Sequence, residues 1–207
     1  MLRLYDFLPS GNGYRVRLAL SQLGIPFHYQ ELDILRGETR EPWFLAKNPM
    51  GQIPLLEFED GTRLSESTAI LFWLAEGSQL LPAQGMDRIA VQRWIAFEQS
   101  SIDGVVSRAR FRRLFPGVVA TEAHEFEAWL ADGYRALGVM EQHLQNRDFF
   151  VAGRYSIADI ALYSYTHCAA EGGFDLSRFP KLVDWCQRVA EQPGYVAINE
   201  RPKGAGM

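Results

Sequence analysis

The stretch Asn48-Pro49-Met50-Gly51-Gln52-Ile53-Pro54-Leu55-Leu56 decides the fold, because a proline stands at the head of an apolar strand that has to pair on its other side. Proline has no N–H to give to a ladder, which confines it to strand starts and edges, and an Ile-Pro bond entering a strand from a tight turn is a candidate for the cis isomer. In that isomer the N–H and C=O of Ile53 face outward, where an extended peptide ligand can pair with them as an added strand. An ordinary turn accounts for the same residues, so the weight falls on what surrounds them.

Upstream, Leu2 to Phe7 is a short β-rich run broken by Pro9-Ser10-Gly11-Asn12-Gly13, after which Val16, Leu20 and Leu23 recur at helical spacing until Gly24. Phe27 to Leu32 is a second candidate strand. Glu41-Pro42-Trp43-Phe44-Leu45 opens a helix with proline in its first turn. Downstream, Ile53 to Phe58 and Thr62 to Leu64 flank Asp60-Gly61, a strong hairpin signal. A further helix begins at Ser65 or Glu66, runs through Ile70, Phe72, Trp73 and Leu74, and ends near Gly77. The order is βαβαββα. A helical crossover makes the first two strands parallel and the tight turn makes the last pair antiparallel, giving a mixed four-stranded sheet with helices on both faces. From there the period becomes helical throughout, over Asp87 to Leu114, Glu122 to Leu144, Ile157 to Ala169 and Pro180 to Ala190. The expected organisation is an α/β domain over 1–78, a linker over 79–86 around Leu80-Leu81-Pro82, and an all-α domain over 87–207.

The 207 residues suffice for a sizeable core without disulfides or metals. A formal net charge of -4 argues against nucleic acid or an anionic membrane as the main partner. The first 80 residues carry 7 basic against 10 acidic side chains and the remainder 14 against 15, so neither part is specialised for polyanions. No apolar run is long enough to span a membrane and the N-terminus lacks a signal-peptide layout, which leads to the expectation of a cytoplasmic protein. The two cysteines, Cys168 and Cys186, and four histidines form no zinc or dithiol spacing, so no metal is expected.

Ser10 in the first βα loop, Gln52-Ile53-Pro54 at the third strand and Glu66-Ser67 at the third helix all fall at one end of the sheet. At a helix N-terminus, Glu66 and Ser67 offer an acceptor for an ammonium group, a hydroxyl, and backbone N–H groups for a carboxylate, which suits an α-amino-acid head. Plain N-capping by Ser65, Glu66 or Ser67 accounts for these residues taken alone.

Ser10-Gly11-Asn12-Gly13-Tyr14-Arg15-Val16-Arg17, Asn48 to Pro54 and Ser65-Glu66-Ser67-Thr68-Ala69-Ile70, in that order and spacing, resemble a cytosolic glutathione transferase of bacterial type with a serine-type loop. A fourth match, Gly153-Arg154-Tyr155-Ser156-Ile157-Ala158-Asp159-Ile160, reads as a capping box between Ser156 and Asp159 with a Tyr155/Ile160 staple. The resemblance implies a thioredoxin-like domain that binds glutathione as co-substrate and a helical domain that forms much of the electrophile site. It implies that Ile53 clamps the cysteinyl moiety, Pro54 is the cis-proline, and Glu66 and Ser67 hold the γ-glutamyl end. Gln52 falls where a side chain often meets the glycyl carboxylate, with Arg36, Arg40 and Lys47 as competitors. A homodimer is implied as well.

The chemistry that the resemblance implies is thiol activation, since an unperturbed thiol with a pKa of about 8.5 is mostly protonated at neutral pH. Ser10 precedes the first helix, so its hydroxyl can donate to the sulfur while the helix N-terminus adds positive potential. Asn12 either donates a second hydrogen bond or caps the helix. Tyr5 is the rival, because several classes use a tyrosine near the end of the first strand; Ser10-Gly11-Asn12 matches a serine-type loop better. The reaction expected is conjugation of the thiolate to a small apolar electrophile, with a glutathione-dependent isomerase, dehalogenase or peroxidase, or a non-catalytic binding protein, as alternatives. Ser107, Arg108, Phe111 and Phe115 fall at helical spacing and line either a second pocket or the core. Arg108, Arg110, Arg112 and Arg113 form a basic run that reads as a solvated face with intrahelical ion pairs.

Overall fold

The computed structural model describes residues 1–118 and 122–202. The chain divides into two compact units, one made of Met1–Glu76 with residues 192–202, the other of Gly77–Glu191.

The first unit is thioredoxin-like. Its strands are β1 (Leu2–Asp6), β2 (Phe27–Glu31), β3 (Leu55–Glu57) and β4 (Arg63–Ser65), ordered β2-β1-β3-β4. β1 and β2 are parallel across the crossover helix α1 (Gly11–Gln22), and the Asp60-Gly61 turn makes β3 and β4 antiparallel. Alternation along β1 sends Tyr5 to one face and Leu4 and Asp6 to the other. Tyr5 packs with Leu32, Leu55 and Phe44 of the short helix α2 (Pro42–Leu45). Asp6 meets Arg17 of α1, which packs against α3 (Ser67–Ala75). Helices therefore cover both faces.

The second unit is a helical bundle of α4 (Gly85–Phe97), α5 (Arg108–Leu114), α6 (Ala123–Leu144), α7 (Ile157–Thr166) and α8 (Pro180–Ala190). Every residue of α7 is buried, so it forms the axis of the bundle. Its start is fixed by the expected capping box: Ser156 Oγ accepts from Ala158 N at 3.3 Å and Asp159 Oδ2 accepts from Ser156 N at 3.0 Å. Asp159 Oδ1 further accepts from Phe150 N and from the buried Trp185 Nε1, at 3.1 and 3.0 Å.

Four expectations change. The helix read over Asp87 to Leu114 begins at Gly85, and residues Glu98–Ser107 form wide π-helical turns between α4 and α5. The stretch read as a linker is built into the second unit: Leu80 and Leu81 are buried and Leu80 O accepts from Ile157 N at 2.9 Å. Residues 192–202, expected with the helical domain, pack with the first unit instead, tied to α1 by hydrogen bonds to their carbonyls; 203–207 lie outside the described residues. The arginine run is not a uniformly solvated face, because Arg110 is buried and pairs with Glu171 at 2.7 Å.

Candidate functional site

Strand register brings the candidate residues to one end of the sheet. Tyr5 lies opposite Leu55, and Leu55 opposite Ser65. The loop after β1, the entry to β3 and the exit from β4 therefore open on the same edge, and these three segments carry Ser10, Gln52-Ile53-Pro54 and Glu66-Ser67.

The Ile53-Pro54 bond is cis. Ile53 rests its side chain on the Tyr5, Leu32, Phe44 and Leu55 cluster, while its N–H and C=O make no hydrogen bond among the described residues. An unpaired donor and acceptor on one residue is what an added extended strand requires. The turn before it is held from inside by Asn48, whose buried side chain donates from Nδ2 to Gln52 O at 2.8 Å and accepts from Met50 N at 3.3 Å. Arg40 Nη1 donates to Met50 O at 2.9 Å. Gly51 passes between these groups with φ +60, and a Cβ there would come within 2.7 Å of Arg40 Nη1 and 2.8 Å of Thr39 O. Sequence reasoning placed no role on Asn48; its position in Asn48-Pro49, a turn-forming pair, was the available signal.

At the start of α3, Glu66 is exposed and adopts φ 66, ψ 107, a region that costs a non-glycine residue roughly 1–3 kcal/mol. Glu66 makes no side-chain capping bond, so plain N-capping does not describe it. Ser67 is turned inward: its hydroxyl donates to Asn12 Oδ1 at 3.3 Å and accepts from Arg15 Nη1 at 3.4 Å. The first turn of α3 therefore presents backbone N–H groups together with a carboxylate held in a strained conformation. Asn12 and Ser67, 55 residues apart in sequence, meet directly. Arg15 is fully buried beneath them and was not singled out from the sequence, because an arginine inside an apolar helical stretch reads as an exposed position.

Ser10 is the N-cap of α1. Its Oγ accepts from Gly13 N at 3.2 Å and its N–H donates to Phe7 O at 2.7 Å. The Ser10 hydroxyl proton has no acceptor among the described residues. Tyr5 is placed differently. It is 2% exposed and its hydroxyl donates to Glu57 Oε2 at 2.6 Å. Glu57 also takes Lys47 Nζ at 2.5 Å and Arg63 Nε at 3.1 Å. Burial works against the Glu57 carboxylate, but the hydrogen bonds from Lys47, Tyr5 and Arg63 outweigh it and hold its pKa at about 2. The Tyr5 proton is thus committed to a permanent anion.

Among the candidates for a carboxylate partner, Gln52 is exposed beside the cis bond, Arg40 is engaged by the Met50 carbonyl and Lys47 by Glu57. Arg36 ends a short helical turn. In the second unit, Ser107 Oγ donates to Asp103 O at 2.5 Å, Phe111 and Phe115 pair ring to ring at 5.0 Å, and Arg108 begins α5. Burial pushes the Cys168 thiol up to about 12, which removes it as a nucleophile at neutral pH. Among the described residues no three His, Cys, Asp or Glu side chains gather as a metal site, and no helix is long and apolar enough to cross a membrane.

Most of the chain is similar to known proteins. Residues 9–76 match the family "Glutathione S-transferase, N-terminal domain" and residues 104–193 match "Glutathione S-transferase, C-terminal domain". A crystal structure described as a possible glutathione S-transferase from Rhodopseudomonas palustris superposes with a TM-score of 0.93 at 47% identity, covering 100% of this chain and 93% of that one. The maleylacetoacetate isomerase of Rhizobium meliloti is 33% identical over 193 residues, 90% of each chain. A glutathione transferase family member from Pseudomonas fluorescens, crystallised with two glutathione bound, superposes with a TM-score of 0.81 at 26% identity, covering 93% of this chain and 89% of that one.

Proposed function

Because the chain belongs to the glutathione S-transferase family, we propose that it binds glutathione at the Ser10, Ile53 and Ser67 end of the sheet and transfers its thiolate to a small apolar electrophile. The observation that carries this reading is the uncommitted proton of Ser10 at the N-terminus of a 12-residue helix. The cysteinyl part of the tripeptide pairs with the N–H and C=O of Ile53. The γ-glutamyl head lies over α3, its carboxylate on the first-turn N–H groups and Ser67, its ammonium against Glu66. Gln52 reaches the glycyl carboxylate. The Ser10 hydroxyl then donates to the sulfur, and Asn12, held by Ser67, borders the same spot. A hydrogen bond to an anion contributes roughly 1.5–3 kcal/mol, equivalent to lowering the thiol pKa by about one to two pH units. The thiol proton leaves to water, the sulfur forms a bond to the electrophilic carbon, and that carbon releases its leaving group or passes the electron pair to an adjacent acceptor. Holding both reactants together supplies the remaining acceleration, so the protein needs no metal. The family relationship also supports a homodimer, for which exposed Trp73, Met86 and Ile89 offer apolar surface. A cytoplasmic location fits an enzyme whose thiol substrate has to stay reduced.

The isomerase relative favours one second reading, in which the same thiolate adds to a substrate double bond and is released after rotation. One assay separates the two: incubate the protein with glutathione and a panel of small electrophiles and compare free thiol lost with product formed. Transfer consumes one thiol per product. Isomerisation consumes none, and binding of glutathione without turnover on any substrate contradicts both.

A further inference from the structure

Arg17 sits in the middle of α1, is 1% exposed and ties together three parts of the first unit. Its Nε pairs with Asp6 Oδ2 at 2.8 Å, at the end of β1. Nη2 donates to Leu8 O at 2.6 Å, in the loop that leads to Ser10. Nη1 donates to Ile198 O at 3.0 Å and to Glu200 O at 3.4 Å, near the C-terminal end of the described chain. The loop is held at its other points by the same group of residues: Asp6 Oδ1 accepts from Phe7 N at 2.7 Å, and Phe7 O accepts from Ser10 N at 2.7 Å. The Asp6 carboxylate lies so close to the first turn of α1 that a Cβ on Gly13 would fall 1.5 Å from Oδ1. Residues 196–200 belong to no helix or strand, and three of their carbonyls bind α1, the third being Val196 O, which takes the Tyr14 hydroxyl at 2.8 Å.

A guanidinium is a rigid planar fork, so fixing one of its arms orients the other. We propose that Arg17 is a positioning residue for Ser10, and that the C-terminal stretch 196–200 is part of the thiol-activating apparatus because it fixes the arm of Arg17 opposite Leu8. With the Ile198 and Glu200 carbonyls in place, the Nη2 edge has one direction, and the Leu8 carbonyl it holds sets the path of the chain into Ser10. Without them Nη1 turns toward water and the Phe7 to Ser10 loop loses its inner tether. The inference rests on the reading of Ser10 as the donor to the thiolate.

The test titrates the thiolate absorbance of glutathione bound to four proteins: the unaltered chain, Arg17→Lys, a chain ending at Tyr195, and Ser10→Ala. Lysine keeps the ion pair with Asp6 but cannot reach Leu8 and the C-terminal carbonyls together. Arg17→Lys and the shortened chain are each expected to raise the bound thiol pKa by about half to one pH unit, with glutathione affinity changed less than about threefold, and to add little when combined. An unchanged titration in Arg17→Lys overturns the inference, whether or not the shortened chain folds. If Ser10→Ala shifts the titration and Arg17→Lys does not, only the coupling fails. If Ser10→Ala leaves it unmoved, the reading of Ser10 falls and takes this inference with it.

Discussion

A serine that accepts a backbone hydrogen bond still has a proton to give, and at Ser10 that proton has no acceptor among the described residues, whereas the Tyr5 proton is held by Glu57. Two substitutions follow from this contrast. Tyr5→Phe removes a bond to a charged group and is expected to lower stability by about 1.5–3 kcal/mol, read in urea unfolding, while leaving the titration of bound glutathione in place. Asn48→Ala releases the Gln52 carbonyl that it holds at 2.8 Å and is expected to raise KM for glutathione about five- to tenfold with little change in kcat, since one neutral hydrogen bond is worth about 1 kcal/mol. A loss of kcat with unchanged KM would show that Asn48 does more than shape the turn. That Ser10, Ile53, Pro54 and Glu66 fall at one end of the sheet was legible in the sequence because proline, glycine and helix starts mark them locally. Asn48, Arg15 and Arg17 were not, because the groups they hold are carbonyls and hydroxyls whose position depends on the folded chain. The preference for Ser10 over Tyr5 came from the Ser10-Gly11-Asn12 loop, and the partner of Tyr5, a glutamate 52 residues away, adds a reason that the sequence did not carry.

At the scale of elements, the helical crossover and the Asp60-Gly61 turn were enough to expect a parallel first pair and an antiparallel last pair, as they form, whereas the order β2-β1-β3-β4 was not legible. The helix expected from Asp87 to Leu114 forms as one unbroken run but is not α-helical throughout, for a specific reason. Glu98, Ile102, Val106 and Arg110 are buried at intervals of four, wider than the 3.6 residues of an α-helical turn, and the backbone follows with π-helical turns over Glu98–Ser107. The α7 start illustrates the opposite case, where a local motif is fully expressed. Asp159 accepts from Ser156 N, Ser156 Oγ, Phe150 N and Trp185 Nε1. Ser156→Ala is expected to cost about 1–2 kcal/mol, and Asp159→Ala more, because it leaves three buried N–H donors unpaired. Thermal unfolding of the two variants gives the order directly; equal losses would mean that the cap bond alone matters.

For the whole molecule, acid stability combines groups with opposite signs. Burial pushes His167 down to about 4 from its ordinary 6.5, so as pH falls the unfolded chain takes up this proton first. The stability that His167 contributes is complete above pH 6.5 and is lost as pH falls toward 4. Asp6 and Asp159, pushed up to about 6 by burial, work in the other direction over part of that range, and Glu57 contributes below pH 4.5. The difference between proteins isolates one group: His167→Gln is expected to show a shallower fall in urea midpoint between pH 6.5 and 4.5 than the unaltered chain. Parallel profiles would contradict a neutral buried imidazole. The division of the chain was the least legible property at this scale. Nothing in the composition of 192–202 marks it as belonging with the first unit, since what holds it is a set of its own carbonyls bound to Tyr14 and Arg17.

If the Ser10 hydroxyl lowers the pKa of a bound glutathione thiol, the pH titration of thiolate absorbance with and without that hydroxyl shows it without any second substrate. The expected result is a midpoint well below about 8.5 in the unaltered protein and a rise of about one to two pH units in Ser10→Ala, with Tyr5→Phe unchanged. A midpoint that stays put in Ser10→Ala, or that moves in Tyr5→Phe instead, contradicts it.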